Sequence, residues 1–194
     1  VTAMQWAQEK ENRSMVFSHW SDVPPENMSD LLPLCEYESS EFIIEEHGID
    51  IPATPEQVFP VICQIGDKHG WNHANILWKI RGLIDRLLGG VGLHRGRRDP
   101  AHLRVGDSVD FWRVEKLEPN QELLLRAEMI TPGLSWLQFQ LDADENGGTR
   151  LTLRAHFIPK PFWGNLYWLA MSNFHYYIFK GMLEFFKKKS LQNP

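Results

Sequence analysis

The sequence has only two cysteines, Cys35 and Cys63, among 194 residues. Small secreted domains that lean on disulfides carry several pairs, so both are expected as reduced thiols in a cytoplasmic protein. No apolar run approaches the ~20 residues that a membrane-spanning helix needs, and the first residues show no signal-peptide pattern. A Gly-x-Ser-x-Gly elbow is missing, and neither cysteine has a histidine partner in sequence, so acyl-transfer and thiol chemistry lack their usual nucleophile. No glycine-rich nucleotide motif follows a strand. Gly89 to Gly92 comes after a helical pattern, whereas phosphate loops precede a helix. No cofactor or metal is expected. Positive charge is also short: the formal net charge is −5, which argues against generic nucleic-acid binding.

Aromatic residues, in contrast, are plentiful: eight Trp, four Tyr and eleven Phe. Large rings carry much of the burial energy of a core and also line ligand cavities. Charge is uneven as well. Between Lys79 and Arg104 there are seven Lys/Arg against two Asp/Glu, so a basic segment sits in an otherwise acidic chain.

Residues 2–11 read as a short helix and 18–40 as a connector rich in Ser, Asp, Pro and Asn. Apolar residues from 41 to 51 have strand character and stop at Pro52. Thr54-Pro55-Glu56-Gln57 then carries the marks of a helix start: a cap, a proline at the first helical position and a Gln three residues on. Val58, Phe59, Ile62 and Ile65 form the expected buried side, and Pro60 keeps this helix short. A second, amphipathic helix is predicted over 74–88 from Ile76, Leu77, Ile80, Ile84, Leu87 and Leu88, with Arg81 and Asp85 four apart. A Gly- and Arg-rich loop follows, 89–100.

Four strand-like runs come next: 107–117, 121–130, 134–142 and 149–158. They are separated by Glu118-Pro119-Asn120, Thr131-Pro132-Gly133 and Asn146-Gly147-Gly148, each suited to a hairpin turn. Consecutive strands with short turns predict an antiparallel meander. After Pro159 and Pro161 a long helix is expected from about 163 to 189. Its stripe reads Trp163, Tyr167, Ala170, Phe174, Tyr177, Gly181 and Phe185 at a three-to-four residue step, with small Ala170 and Gly181 allowing close approach to the sheet.

Strand, two shorter helices, meander and long final helix together specify an α+β helix-grip fold, a curved antiparallel sheet around the C-terminal helix. A bent sheet cannot bury its concave face alone, and that helix covers it. The expected division is an N-terminal connector over 1–38 and the helix-grip domain over 39–190.

Several motifs carry a resemblance: Gly70-Trp71-Asn72, Leu77-Trp78-Lys79-Ile80-Arg81-Gly82-Leu83-Ile84-Asp85, Gly89-Gly90-Val91-Gly92, Arg95-Gly96-Arg97-Arg98 and Asp110-Phe111-Trp112-Arg113. Together they resemble an uncharacterised bacterial family of START-like (Bet v 1-like), polyketide-cyclase-like domains of unknown function. The family occurs alone or behind an NAD(P)-binding domain of the short-chain-dehydrogenase or NmrA type. Residues 3–11 and Ser18-His19-Trp20-Ser21-Asp22 resemble the junction of the fused members, and Val1 in place of Met fits an excised fragment. The resemblance thus implies a second, NAD(P)-binding domain of the same polypeptide as a partner, and no particular reaction.

Candidate site residues follow from chemistry. Arg95, Arg97 and Arg98 lie among glycines that permit close backbone approach, and guanidinium groups bind carboxylates or phosphates through paired hydrogen bonds. They would read an anionic group at the cavity mouth, or else pair with Asp107, Asp110 and Glu115 to hold the loop down. Asp110 is the candidate acid or base if it faces inward with Trp112, with Arg113 on the neighbouring face. Trp71, Trp78, Tyr167 and Phe174 are the expected aromatic ligand contacts.

His69 and His73 are spaced for zinc on a helix, but Gly70 weakens that helix and a third ligand is lacking. His156 and His175 could meet across sheet and helix, or be hydrogen-bonded core residues. Trp168 and Tyr176 are expected on the outer side of the final helix, facing a missing domain or a dimer mate. Membrane contact near Lys187-Lys188-Lys189 is disfavoured.

The leading expectation is a domain that holds a hydrophobic, optionally anionic small molecule and serves a reductase-type domain. The alternatives are a cyclase- or hydrolase-type enzyme using Asp110 and an arginine, and a structural or dimerising appendage.

Overall fold

Turn chemistry and strand alternation in the second half of the chain translate directly into the observed meander. The computed structural model describes residues 33–37, 42–66, 83, 86–87, 97–99, 102–145 and 147–192. Among these, a 3-10 turn at Leu34–Glu36 precedes β1 (Ile43–Ile51) and α1 (Pro55–Ile62). The meander is β2 (Ser108–Val109), β3 (Trp112–Glu118), β4 (Glu122–Ala127), β5 (Gly133–Ala143) and β6 (Thr149–Pro159). The 28-residue helix α2 (Trp163–Ser190) ends the fold. The strands form one antiparallel sheet in the order β1-β6-β5-β4-β3-β2. This is the helix-grip α+β architecture.

Local signals place the elements. The Thr54 N–H donates to Gln57 Oε1 at 3.0 Å, with Pro55 in the first turn of α1, so the helix starts where the capping pattern predicts. Val58, Phe59, Val61 and Ile62 are buried from it. On β6 the alternation of Leu151, Leu153, Ala155 and Phe157 puts all four on the face toward α2, where they are buried. Leu137, Phe139 and Leu141 of β5 pair with Ala155, Leu153 and Leu151 on that face. Below them α2 presents Ile178, Phe179, Met182, Leu183 and Phe186, all buried. Each such side chain contributes about 1.5–3 kcal/mol of transfer energy.

One glycine fixes how the last helix leaves the sheet. A Cβ on Gly164 would stand 2.6 Å from the Pro132 carbonyl oxygen and 2.7 Å from Pro159 Cα. The first turn of α2 therefore lies against the backbone at the end of β6, closer than any side chain would allow.

Three expectations need correction. The run 107–117 is two strands, because Asp110 adopts a left-handed backbone (φ 56°) and turns the chain with Phe111 between Val109 and Trp112. Aspartate tolerates that region better than most residues. Secondly, the predicted stripe of the long helix is rotated: Trp163 and Tyr177 are 66% and 59% exposed. The helix is apolar on more than one face, so spacing alone selected the wrong one. Gly164 is a residue of this helix whose small size the structure shows to be required, whereas Ala170 is exposed. Thirdly, the helix over 74–88 lies largely outside the described residues. Its described members Leu83, Arg86 and Leu87 are helical, and Leu87 is exposed instead of buried.

Candidate functional site

Between the concave face of the sheet and the first half of α2 lies a cavity of about 250 Å³. The sheet contributes Trp112, Met129, Ser135, Leu137, Ala155 and Phe157 to its wall. Tyr167, Trp168, Met171, Phe174, Ile178 and Phe179 come from α2, and His175 stands among them. The elements explain the gap. Small Ala155 and Ser135 occupy β6 and β5 where Leu151 and Leu141 fill the other end. Close contact at Gly164 and packing at Met182 and Phe186 pin α2 at both ends of the space.

The rings are arranged, not merely gathered. Trp168 stacks on Phe157 with centroids 5.3 Å apart and planes 12° apart. His175 stacks on Phe179 at 5.1 Å and takes the edge of Trp168 at 5.3 Å. Residues 168, 175 and 179 share one side of the helix because their spacings are close to whole turns.

A cluster of titratable groups reaches this cavity through His175. Alternation along β1 turns Ile43, Glu45, His47, Ile49 and Ile51 toward α2. Glu45 Oε1 lies 2.7 Å from His47 Nε2, and its Oε2 lies 3.4 Å from His175 Nδ1. Burial works against the Glu45 carboxylate, but hydrogen bonding and charge from His175 and His47 outweigh it and hold its pKa below the ordinary value. From sequence the histidine of α2 is expected either as a partner for His156 or as a hydrogen-bonded core residue. His156 instead sits on the other face of β6, its ring against Phe42 and its Nε2 3.0 Å from Gln138 Oε1. Glu45 and His47 were missed, although the period-two pattern of β1 places two titratable residues on an otherwise apolar side.

The arginines have other employment. Arg97 Nη1 donates to the carbonyls of Cys63 (2.7 Å) and Ile65 (2.9 Å), and its Nε donates to the Asp99 carbonyl (3.2 Å). Arg98 grips Asp107 through two hydrogen bonds of 2.8 Å, nearly excluded from solvent. Arg113 grips Glu128 in the same forked manner at 2.9 and 3.0 Å and also donates to the Gly106 carbonyl. These three guanidinium groups join the loop at 97–107 to the sheet and to the end of α1. Arg95, Trp71, Trp78, His69 and His73 lie outside the described residues.

Asp110 is 6% exposed in the β2–β3 turn, beside Gly66, and is not among the described residues that line the cavity. Trp112, Tyr167 and Phe174 do line it. Trp168 turns inward, whereas Tyr176 is exposed with Lys180 over its ring. Cys35 is exposed and Cys63 buried, and they do not pair. Burial pushes the Cys63 thiol up to about 12 despite the Arg97 charge, which leaves it unreactive.

Residues 43–182 match the family model described as Protein of unknown function (DUF2867). The chain belongs to that family. No curated protein matches it. Among solved structures it is similar to DynU16, a protein of the dynemicin biosynthetic locus, at 14% identity and TM-score 0.44, over 73% of this chain and 46% of that one. It thus spans less than half the length of DynU16. It is also similar to Ara h 8.0201 (12% identity, TM-score 0.42, 78% of this chain and 99% of that one). A third is the Zhui aromatase/cyclase from Streptomyces sp. R1128 (13% identity, TM-score 0.42, 78% and 94%). The strand order and register above define the helix-grip fold independently of these neighbours. No described helix is long and apolar enough to cross a membrane.

Proposed function

We propose that this domain holds a hydrophobic small molecule in the cavity between the sheet and α2. The supporting observation is the cavity itself, 250 Å³ walled by aromatic and aliphatic side chains. Left unfilled, a recess walled by rings and aliphatic groups keeps apolar surface in contact with water, which an apolar occupant would remove at about 25 cal/mol per Å². An engineered apolar cavity of about 150 Å³ accepts benzene, so the space here suits a molecule of one to two rings.

The proposal extends to context. A helix-grip unit over 39–190, joined through 1–38 to an NAD(P)-binding, reductase-type domain in the cytoplasm, would receive or present that domain's apolar substrate. The motif resemblance supports this, and so does the row of exposed apolar side chains Trp163, Leu166 and Leu169 on α2, open to a second domain or a dimer mate. An anionic end on the ligand would call on Arg95, because Arg97 and Arg98 already bind groups of the protein. The cyclase- or hydrolase-type reading through Asp110 gains no support from its position in the turn.

Native mass spectrometry of freshly purified protein, compared with the denatured mass, tests the central reading. A stoichiometric adduct is expected, and Met171→Trp, which fills the cavity from the helix side, is expected to lose it. A bare native mass, together with no binding of added naphthalene, would overturn the reading and favour a structural appendage.

A further inference from the structure

We propose that His175 is the polar anchor of this cavity, its Nε2 accepting the hydroxyl proton of a phenol- or enol-type aromatic ligand while Glu45 holds the imidazole in register. This rests on the ligand-binding reading above and names the class of ligand.

The tautomer follows from the partner. A carboxylate only accepts, so the nitrogen facing Glu45, Nδ1, carries the hydrogen and Nε2 is the nitrogen left open to a ligand. Nδ1 and Glu45 Oε2 are both buried without a hydrogen-bond partner and lie 3.4 Å apart, at ion-pair distance. No described residue occupies Nε2. Glu45 is itself fixed, because His47 Nε2 holds its other oxygen at 2.7 Å. The imidazole plane is set by Phe179 beneath it and the Trp168 edge beside it. Carboxylate, ring stack and helix therefore determine together where Nε2 points.

The surroundings sharpen the choice. Ala155 and Leu153 of β6 stand opposite Glu45 and His47 in register, so no charge from the sheet competes for the pair. Thr131, Ser135, His156 and Tyr167 add a few polar atoms to the wall, and the rest of it is hydrocarbon and ring surface. A ligand hydroxyl placed there must find an acceptor or forfeit its hydration, and His175 supplies one beside flat rings suited to an aromatic body. The three groups meet through the Glu45 carboxylate and do not converge on a point, and no metal-holding group of three or more such side chains occurs among the described residues.

The test compares 2-naphthol with 2-methoxynaphthalene, which has the same ring system but no proton to donate, by titration calorimetry. The hydroxyl compound is expected to bind about tenfold more tightly to the native protein, and His175→Phe should bring the ratio to about one. Adding 2-naphthol to protein with ¹⁵N-labelled histidine should shift the His175 Nε2 resonance and leave Nδ1 protonated. Glu45→Gln should blur that tautomer preference even where the fold is unchanged. Equal affinity for both compounds, or an unmoved Nε2 resonance, overturns the anchor and leaves the cavity reading intact. Failure of both compounds to bind overturns the cavity reading as well.

Discussion

Trp168 lies flat on Phe157, its plane 12° from that of the phenyl ring and its centroid 5.3 Å away. Phe157 belongs to β6 and Trp168 to α2, so this stack fixes the width of the cavity at that point. Truncating it by Trp168→Ala should cost about 3–5 kcal/mol if the site cannot collapse, measured by urea denaturation. In the intact protein, tryptophan emission should change on addition of naphthalene, since Trp112 and Trp168 both touch the space it would enter.

Ion pairs on this molecule differ in worth according to solvent. Arg113 and Glu128 are forked together with Glu128 2% exposed. Glu128→Gln takes the carboxylate away from a buried guanidinium and should destabilise the fold by about 3–5 kcal/mol. Arg150 with Asp50, at the open end of the sheet, should lose under ~1 kcal/mol on Asp50→Asn. Paired denaturation curves read both; similar losses would contradict the assignment.

The buried face behind the sheet carries a pH signature. Burial lowers the His156 pKa below its ordinary value of 6.5, the nearby Arg154 charge acts the same way, and Glu122 opposes them more weakly. Because the folded value lies below the unfolded one, the unfolded chain takes up the proton first. Stability is therefore whole above about pH 6.5 and falls as pH drops through the lower folded value. His156→Gln, which can still bond Gln138, should flatten that decline in melting temperatures between pH 7 and 5. An unchanged slope would assign the decline elsewhere.

Much of the fold was legible because its signals are local. Gly147-Gly148, Pro119-Asn120 and Pro132-Gly133 mark hairpins whatever the strands face, and Thr54 with Gln57 marks a helix start. The face of α2 was not, because rings at 163, 167, 174 and 177 compete with Ile178, Met182 and Phe186 in a spacing count. Only the sheet decides between them. The turn at Asp110 was hidden in a run of strand-forming neighbours. In the site, Trp112, Tyr167 and Phe174 were named from aromatic content, but the Glu45–His175 contact joins residues 130 positions apart and has no motif. Arg97, Arg98 and Arg113 look like ligand arginines in sequence. Arg98 takes Asp107, the pairing that the loop-anchoring alternative foresaw, whereas the Cys63 and Ile65 carbonyls on Arg97 and the Glu128 carboxylate on Arg113 come near only in the folded chain.

Pairing of β1 with β6 has a kinetic meaning. Asp50 and Arg150 lie 100 residues apart in sequence, and the two strands share nine paired positions. A contact that distant closes late, after its loop entropy has been met. During synthesis the first strand must wait, both edges bare, until β6 has left the ribosome. The meander can form before it, but the titratable cluster at His175 cannot, since Glu45 and His47 arrive with β1. On the proposed reading ligand capture would therefore require β1, β6 and α2 together, and a nascent or truncated product that stops before residue 149 would have no site to fill.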